Sequence, residues 1–213
     1  HEIRYEALIT LGILGTQSEL KMMVDSWRRG RWSEKERVAI GGSIVSVAKR
    51  SPSGSDRVAA LHGALKKSSS PDVQLSIIRA LNEIQDDASI AAYRSALRKV
   101  DSDVLVELVR ILIRWPNEKV LSDLEKLART LNDDALRYEA FVGYVGILAD
   151  RLDHGTSATA KMYQRAVALA DSTEKRRLLL PGVARLDEAN AGRIWDELAV
   201  DAVLVSEINA LRQ

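Results

Sequence analysis

The segment Ser26-Trp27-Arg28-Arg29-Gly30-Arg31-Trp32 holds the residue types best suited to recognition chemistry. Two tryptophans flank three arginines. Guanidinium groups form paired hydrogen bonds with anionic oxygens, and indole faces stack on sugars and cations. Between Lys21 and Arg50, eight Lys/Arg stand against three acids, a local charge of +5. Trp27, Arg28, Arg29, Arg31 and Trp32 are therefore the candidate binding residues, suited to an anionic sugar, a phosphate or an acidic peptide. A plainer role competes with this one. Trp27 at helical spacing from Leu20, Met23 and Val24 also fits a core. Trp32 just before Ser33 fits a staple at the start of the next helix, with the arginines solvated.

Other reactive residues assemble into nothing. The histidines are His1, His62 and His154, and a zinc site needs three or four ligands within reach. There are no cysteines, so disulfides, thiol nucleophiles and Cys-ligated metals are excluded. The acid pairs Asp86-Asp87 and Asp133-Asp134 fall at helix starts, where Asp accepts backbone N–H bonds and complements the helix dipole. Neither His62 nor His154 has a nucleophile-elbow context, and Gly41-Gly42 lacks the residues of a phosphate loop. The expectation is no catalytic residue, no metal and no cofactor.

The elements that must carry these residues are helices. Asp72-Val73-Gln74-Leu75-Ser76-Ile77-Ile78-Arg79-Ala80-Leu81 aligns with Asp103-Val104-Leu105-Val106-Glu107-Leu108-Val109-Arg110-Ile111-Leu112, and 103 − 72 = 31. A further step of 31 reaches Asp134. Such a period marks stacked helical pairs. First helices are expected to begin near 2, 34, 72, 103, 134, 173 and 203. Arg4-Tyr5-Glu6-Ala7 recurs as Arg137-Tyr138-Glu139-Ala140, an offset of 133.

Start and stop signals fit this division. Ser33 and Glu36 form a capping box, Ser51 to Ser55 is a loop, and Pro71 suits a first helical turn. Pro181 should kink or tighten its helix by deleting one backbone hydrogen bond. Predicted inward positions include Ile3, Ala7, Leu8, Leu11 and Leu14 in the first helix, and Val38, Ile40, Ile44, Val45 and Val47 in the third. Gly41-Gly42 predicts a close approach of helices.

Composition fits a folded all-α chain of 213 residues, with 46% hydrophobic and 29% charged residues. The net charge of +1 lacks the positive excess of a nucleic-acid grip, so no nucleic acid is expected. No apolar run approaches the roughly 20 residues of a membrane span, and no signal peptide is visible.

The Asp cap, the apolar first helix with its mid-helix arginine (Arg79, Arg110), the short Asp/Asn turn and the amphipathic second helix together resemble HEAT repeats. The resemblance implies an all-α, right-handed α-α superhelix, a solenoid of about six helical hairpins. TPR arrays share the hairpin length, but their large aromatics do not recur in phase here. The His–Glu pairs that hold iron in HEAT-like hydroxylases have one counterpart, the terminal His1-Glu2. The segment Ala160-Lys161-Met162-Tyr163 through Val183 is similar to HEAT regions of large secreted bacterial proteins. That likeness implies an accessory module of a multidomain chain and leans toward a periplasmic or extracellular location.

Residues 1–213 are thus expected to form one repeat array, a fragment of a longer protein. Its expected role is a non-enzymatic scaffold for a protein partner or a neighbouring domain of its own chain. The alternatives are a glycan- or polyanion-binding module built on the Trp27–Trp32 loop, and, with less support, a HEAT-like nucleic-acid enzyme.

Overall fold

A computed structural model describes residues 2–52 and 54–212. His1, and with it the His1-Glu2 pair, lies outside the described residues, as does Ser53 of the 51–55 loop. The described residues form thirteen α-helices, a short 3-10 turn and no strand. The fold class is all-α, built of HEAT-like helical hairpins.

The chain divides into two compact units, His1–Leu108 and Val109–Gln213. The first contains α1 (Glu2–Leu14), α2 (Gln17–Arg29), α3 (Glu34–Arg50), α4 (Ser55–Lys67), α5 (Pro71–Ile84), α6 (Ser89–Ala96) and the first part of α7 (Ser102–Ile113). The second holds the rest of α7, then α8 (Leu121–Thr130), α9 (Asp134–Arg151), α10 (Ser157–Leu169), α11 (Thr173–Val183), α12 (Glu188–Leu198) and α13 (Val205–Leu211).

Local chemistry sets these boundaries. Thr16 with Glu19 and Ser33 with Glu36 are complete capping boxes. Pro71 occupies the first turn of α5. Asp133, Thr156, Ser172 and Asp187 each accept the backbone N–H three residues on. Asn117 caps the 3-10 turn Glu118–Val120 that leads into α8. Pro181 lies within α11, which continues to Val183. Proline deletes one hydrogen bond there without ending the helix.

In the first unit α3 packs on α1 and α5 in one layer, and α4 packs on α2 and α6 in the other. The second unit repeats this with α9 on α11, and α10 on α8 and α12. Between the layers lie aliphatics, Leu20, Ile40, Ile44, Leu61, Ile77 and Leu81 among them, all fully buried. No hairpin could bury such a stripe alone; stacking makes one continuous core in each unit.

A side-chain device seals the turns. Arg57, Gln74, Arg137 and Arg176 each donate to the carbonyl six residues earlier: Ser51, Ser68, Leu131 and Ala170. These carbonyls end the preceding helix and would otherwise lack a donor.

Two predicted core assignments need correction. In α1, Leu8 and Gly12 are buried, while Ile3, Ala7 and Leu14 are exposed and Leu11 is half-buried. Among the described residues, the extensive packing of this helix is against α3. In α3, Val38 is 71% exposed, while its neighbours Ala39 and Ile40 are buried. Three consecutive apolar residues span about 200° of a helix, so one of them must point away from the core.

Candidate functional site

The Trp–Arg segment forms the end of α2 and its turn into α3. Trp27 is on the inward stripe of α2, 5% exposed, with its ring against Gly41 of α3. A Cβ at Gly41 would stand 3.2 Å from the Trp27 ring, whereas one at Gly42 would meet nothing within 4 Å. The close helix approach expected of the pair therefore belongs to Gly41. The Trp27 indole N–H is buried without an acceptor.

Trp32 is half-buried and closes the turn. Its indole N–H donates to the Ser26 carbonyl at 3.0 Å, as the Gly30 backbone N–H does at 2.7 Å. The ring lies so close over Gly30 that an added Cβ would stand 2.3 Å from the indole nitrogen. Glycine is required there for space, since its φ of −75° is open to any residue. The Arg4 guanidinium stacks 4.7 Å from the Trp32 ring centre, and its Nε is 3.6 Å from Glu36. Hydrogen bonds from Ser33, first its backbone N–H and then its hydroxyl, hold the Glu36 carboxyl below the usual range; Arg4 adds to this.

The arginines diverge. Arg28 is half-buried and Arg29 exposed; both reach back to Asp25, at 3.9 and 3.7 Å. Arg31 is exposed. The structure thus brings together Trp32, Gly30, Ser26, Arg4 and Glu36. It separates Trp27 from them, so no face presents both indoles.

A second feature was missed in the sequence. Tyr5, Ile9 and Ile13 of α1 and Val38, Gly42 and Ser46 of α3 line an open groove of about 920 Å³. Gly12 and Ser43 form its floor, where the helices are closest. A Cβ on Gly12 would stand 2.7 Å from the Ser43 hydroxyl oxygen, and that hydroxyl lies 2.7 Å from the Leu8 carbonyl, within donating distance. Lys35 stacks over Tyr5 at 4.3 Å on one rim, with Glu34 beside it. The available signal was the i, i+4 spacing of Ile9–Ile13 and Val38–Gly42; of these residues, sequence spacing assigns Val38 to the core and Gly42 to a close helix approach, and leaves Ile9 and Ile13 without a role.

The histidines stay apart. His62, in α4, has a buried and unpartnered Nε2; desolvation, then Lys66, holds its pKa down. His154 lies in the α9–α10 turn, 3.4 Å from the Tyr163 hydroxyl. Burial pushes Tyr163 up to about 12. Among the described residues no three His, Cys, Asp or Glu side chains converge as metal ligands. Of the acids singled out, Asp86 accepts from Gly54 and Ala88, and Asp133 caps α9.

Residues 58–143, from within α4 into α9, match the family model for HEAT repeats. Residues 58–143 carry HEAT repeats. No curated protein and no solved structure matches it. The mid-helix arginines of the HEAT pattern now have a place: Arg79 pairs with Glu107 at 3.2 Å, and Arg110 with Glu139 at 3.3 Å. Arg4 with Glu36 and Arg177 with Glu207 also pair successive first helices, from other positions along the helix. Stacked repeats of this kind create extended binding surfaces, as suits a protein-interaction scaffold. Among the described residues no helix is long and apolar enough to cross a membrane.

Proposed function

We propose that this chain is a non-enzymatic HEAT scaffold that holds a protein partner in the α1–α3 groove. The observation that carries the reading is that Ile13 and Val38, 66% and 71% exposed, face one groove instead of being scattered. Grooves of this kind accept the apolar face of an amphipathic helix. The occupant is such a helix, with aliphatics at i and i+4 and an acidic residue placed for Lys35. It belongs to another protein or to a neighbouring domain of the parent chain. Keeping residues 1–213 as one array is supported by the 31-residue step, which runs unbroken from 72 through 103 to 134.

Gly42→Leu tests this, because its Cβ enters open space and the side chain fills the groove. A photocrosslinker at Val38 would identify the partner in the native cell, and the purified partner would then be titrated calorimetrically. Gly42→Leu should weaken binding at least tenfold while the melting temperature stays the same or rises, since the substitution also removes a helical glycine. Equal affinity in Gly42→Leu and Val38→Asp sinks the proposal.

The polyanion reading retains Arg29, Arg31 and the free face of Trp32. Arg4 already stacks on the other face, which makes it the less supported of the two.

A further inference from the structure

The repeated Arg-Tyr-Glu-Ala segment gives α1 an internal template. With the offset of 133, Ile3, Ala7, Thr10 and Leu14 correspond to Leu136, Ala140, Gly143 and Ile147 of α9. These positions, at steps of four, three and four, form one helical stripe. In α9 the stripe is buried: Leu136 is 5% exposed and Ile147 2%. It faces the preceding hairpin, α7–α8; a Cβ on Gly143 would stand 2.5 Å from Ile113 of α7, and α8 packs along α9. In α1 the same stripe is bare, with Ile3 87% and Leu14 73% exposed. Glu6 corresponds to Glu139, which receives Arg110 from α7. Glu6 is exposed and, among the described residues, has no cation against it.

We infer that this edge of α1 is a docking face for one more helical hairpin of the α7–α8 kind. Its occupant carries aliphatics along the contact stripe and an arginine at the register of Arg110, aimed at Glu6. Apolar surface and unpaired carboxylate both follow the pattern that α9 shows satisfied. The face is distinct from the α1–α3 groove, so the inference stands whether or not that groove binds a partner.

The test joins a second copy of residues 102–133 ahead of residue 1, which places a hairpin of this chemistry in register with α1. Amide exchange of α1 should slow about tenfold or more relative to the 213-residue chain, and the melting temperature should rise by several degrees. Arg110→Glu in the added copy should remove much of the protection, and Glu6→Arg in the same chain should restore it. Unchanged α1 exchange, or protection indifferent to both charge changes, overturns the proposal. So does concentration-dependent protection of α1 in the 213-residue chain, which would assign the face to a second copy.

Discussion

Replacing Gly12 and Gly42 by alanine, one at a time, should shift stability in opposite directions. Both glycines lie inside helices, where alanine is favoured by about 1 kcal/mol if nothing obstructs its methyl group. At Gly42 nothing lies within 4 Å, so Gly42→Ala should stabilise by up to about 1 kcal/mol. At Gly12 the methyl would meet Ser43 Oγ at 2.7 Å, Cβ at 2.9 Å and Cα at 3.0 Å. A side-chain rotation cannot move Cα, so α1 must lift from α3. Overpacking of this kind costs about 1–3 kcal/mol. The backbone contact places it in the upper half of that range, so the net loss is about 1–2 kcal/mol. The two variants should then differ by about 2–3 kcal/mol, or roughly 4–12 °C in melting temperature for a chain of this size. Hydrogen exchange should localise the loss to α1, whose extensive packing is against α3. Adding Ser43→Gly to Gly12→Ala should recover at least about 1 kcal/mol as a coupling energy. If Gly12→Ala stabilises as Gly42→Ala does, the helices are not in contact at Gly12 and the groove has no fixed floor.

Four further outcomes follow from named contacts. Trp27→Ala should cost about 3–5 kcal/mol as a core truncation, while Trp32→Phe should cost only about 1 kcal/mol for one lost hydrogen bond; equal losses in urea denaturation would contradict the placement of the two indoles. Gly182→Ala should destabilise the second unit by about 1–3 kcal/mol in the same assay, because its Cβ would lie on the buried Tyr163 hydroxyl. Exposed rungs are weak, so a double-mutant cycle on Arg79 and Glu107 should return about 0.2–1 kcal/mol, falling with salt. Glu19 titrates at about 2 in the folded chain instead of 4.5, because Thr16 and Ser18 donate to it, and Glu36 and Asp201 are also lowered. Depressed acids stabilise fully above their unfolded values and lose that contribution as pH falls through the folded ones. Melting temperature should therefore drop from about pH 4.5 toward 2, and a chain with Glu19→Gln and Glu36→Gln should show a flatter profile.

Helix boundaries were legible because caps are local. Ser33, Pro71 and Asp133 act within a few residues of themselves, so sequence spacing suffices to place them. The 31-residue period was legible for the related reason that each hairpin repeats the same packing problem. Which way Val38 points was not legible. Helix α3 is apolar on more than one face, and only the position of α1 decides which face is covered. The same holds for Ile3 and Leu14, whose spacing is that of a core stripe and whose exposure depends on what packs against α1. Trp27 and Trp32 share a residue type and a basic neighbourhood, yet one indole packs on Gly41 and the other covers Gly30 and carries Arg4. That difference arises from contacts across helices, which linear spacing does not encode.

The arginine–glutamate rungs show what the repeat is for and where it leaves room for function. Each exposed pair contributes little energy, whereas the aliphatic stripes beneath supply most of the stacking. The rungs instead set register. Arg79 meets Glu107 and Arg110 meets Glu139 only when successive first helices align, and a slip would leave both charges unmatched. A residue satisfied in this way by its neighbouring repeat is committed to architecture. Function then belongs to residues whose repeat role is unfilled or absent. Val38 and Ile13 face a groove, Gly42 has space above it, and Glu6 pairs with no cation among the described residues. All four lie on α1 and α3, which is why both proposals, the groove and the docking edge, fall on these two helices.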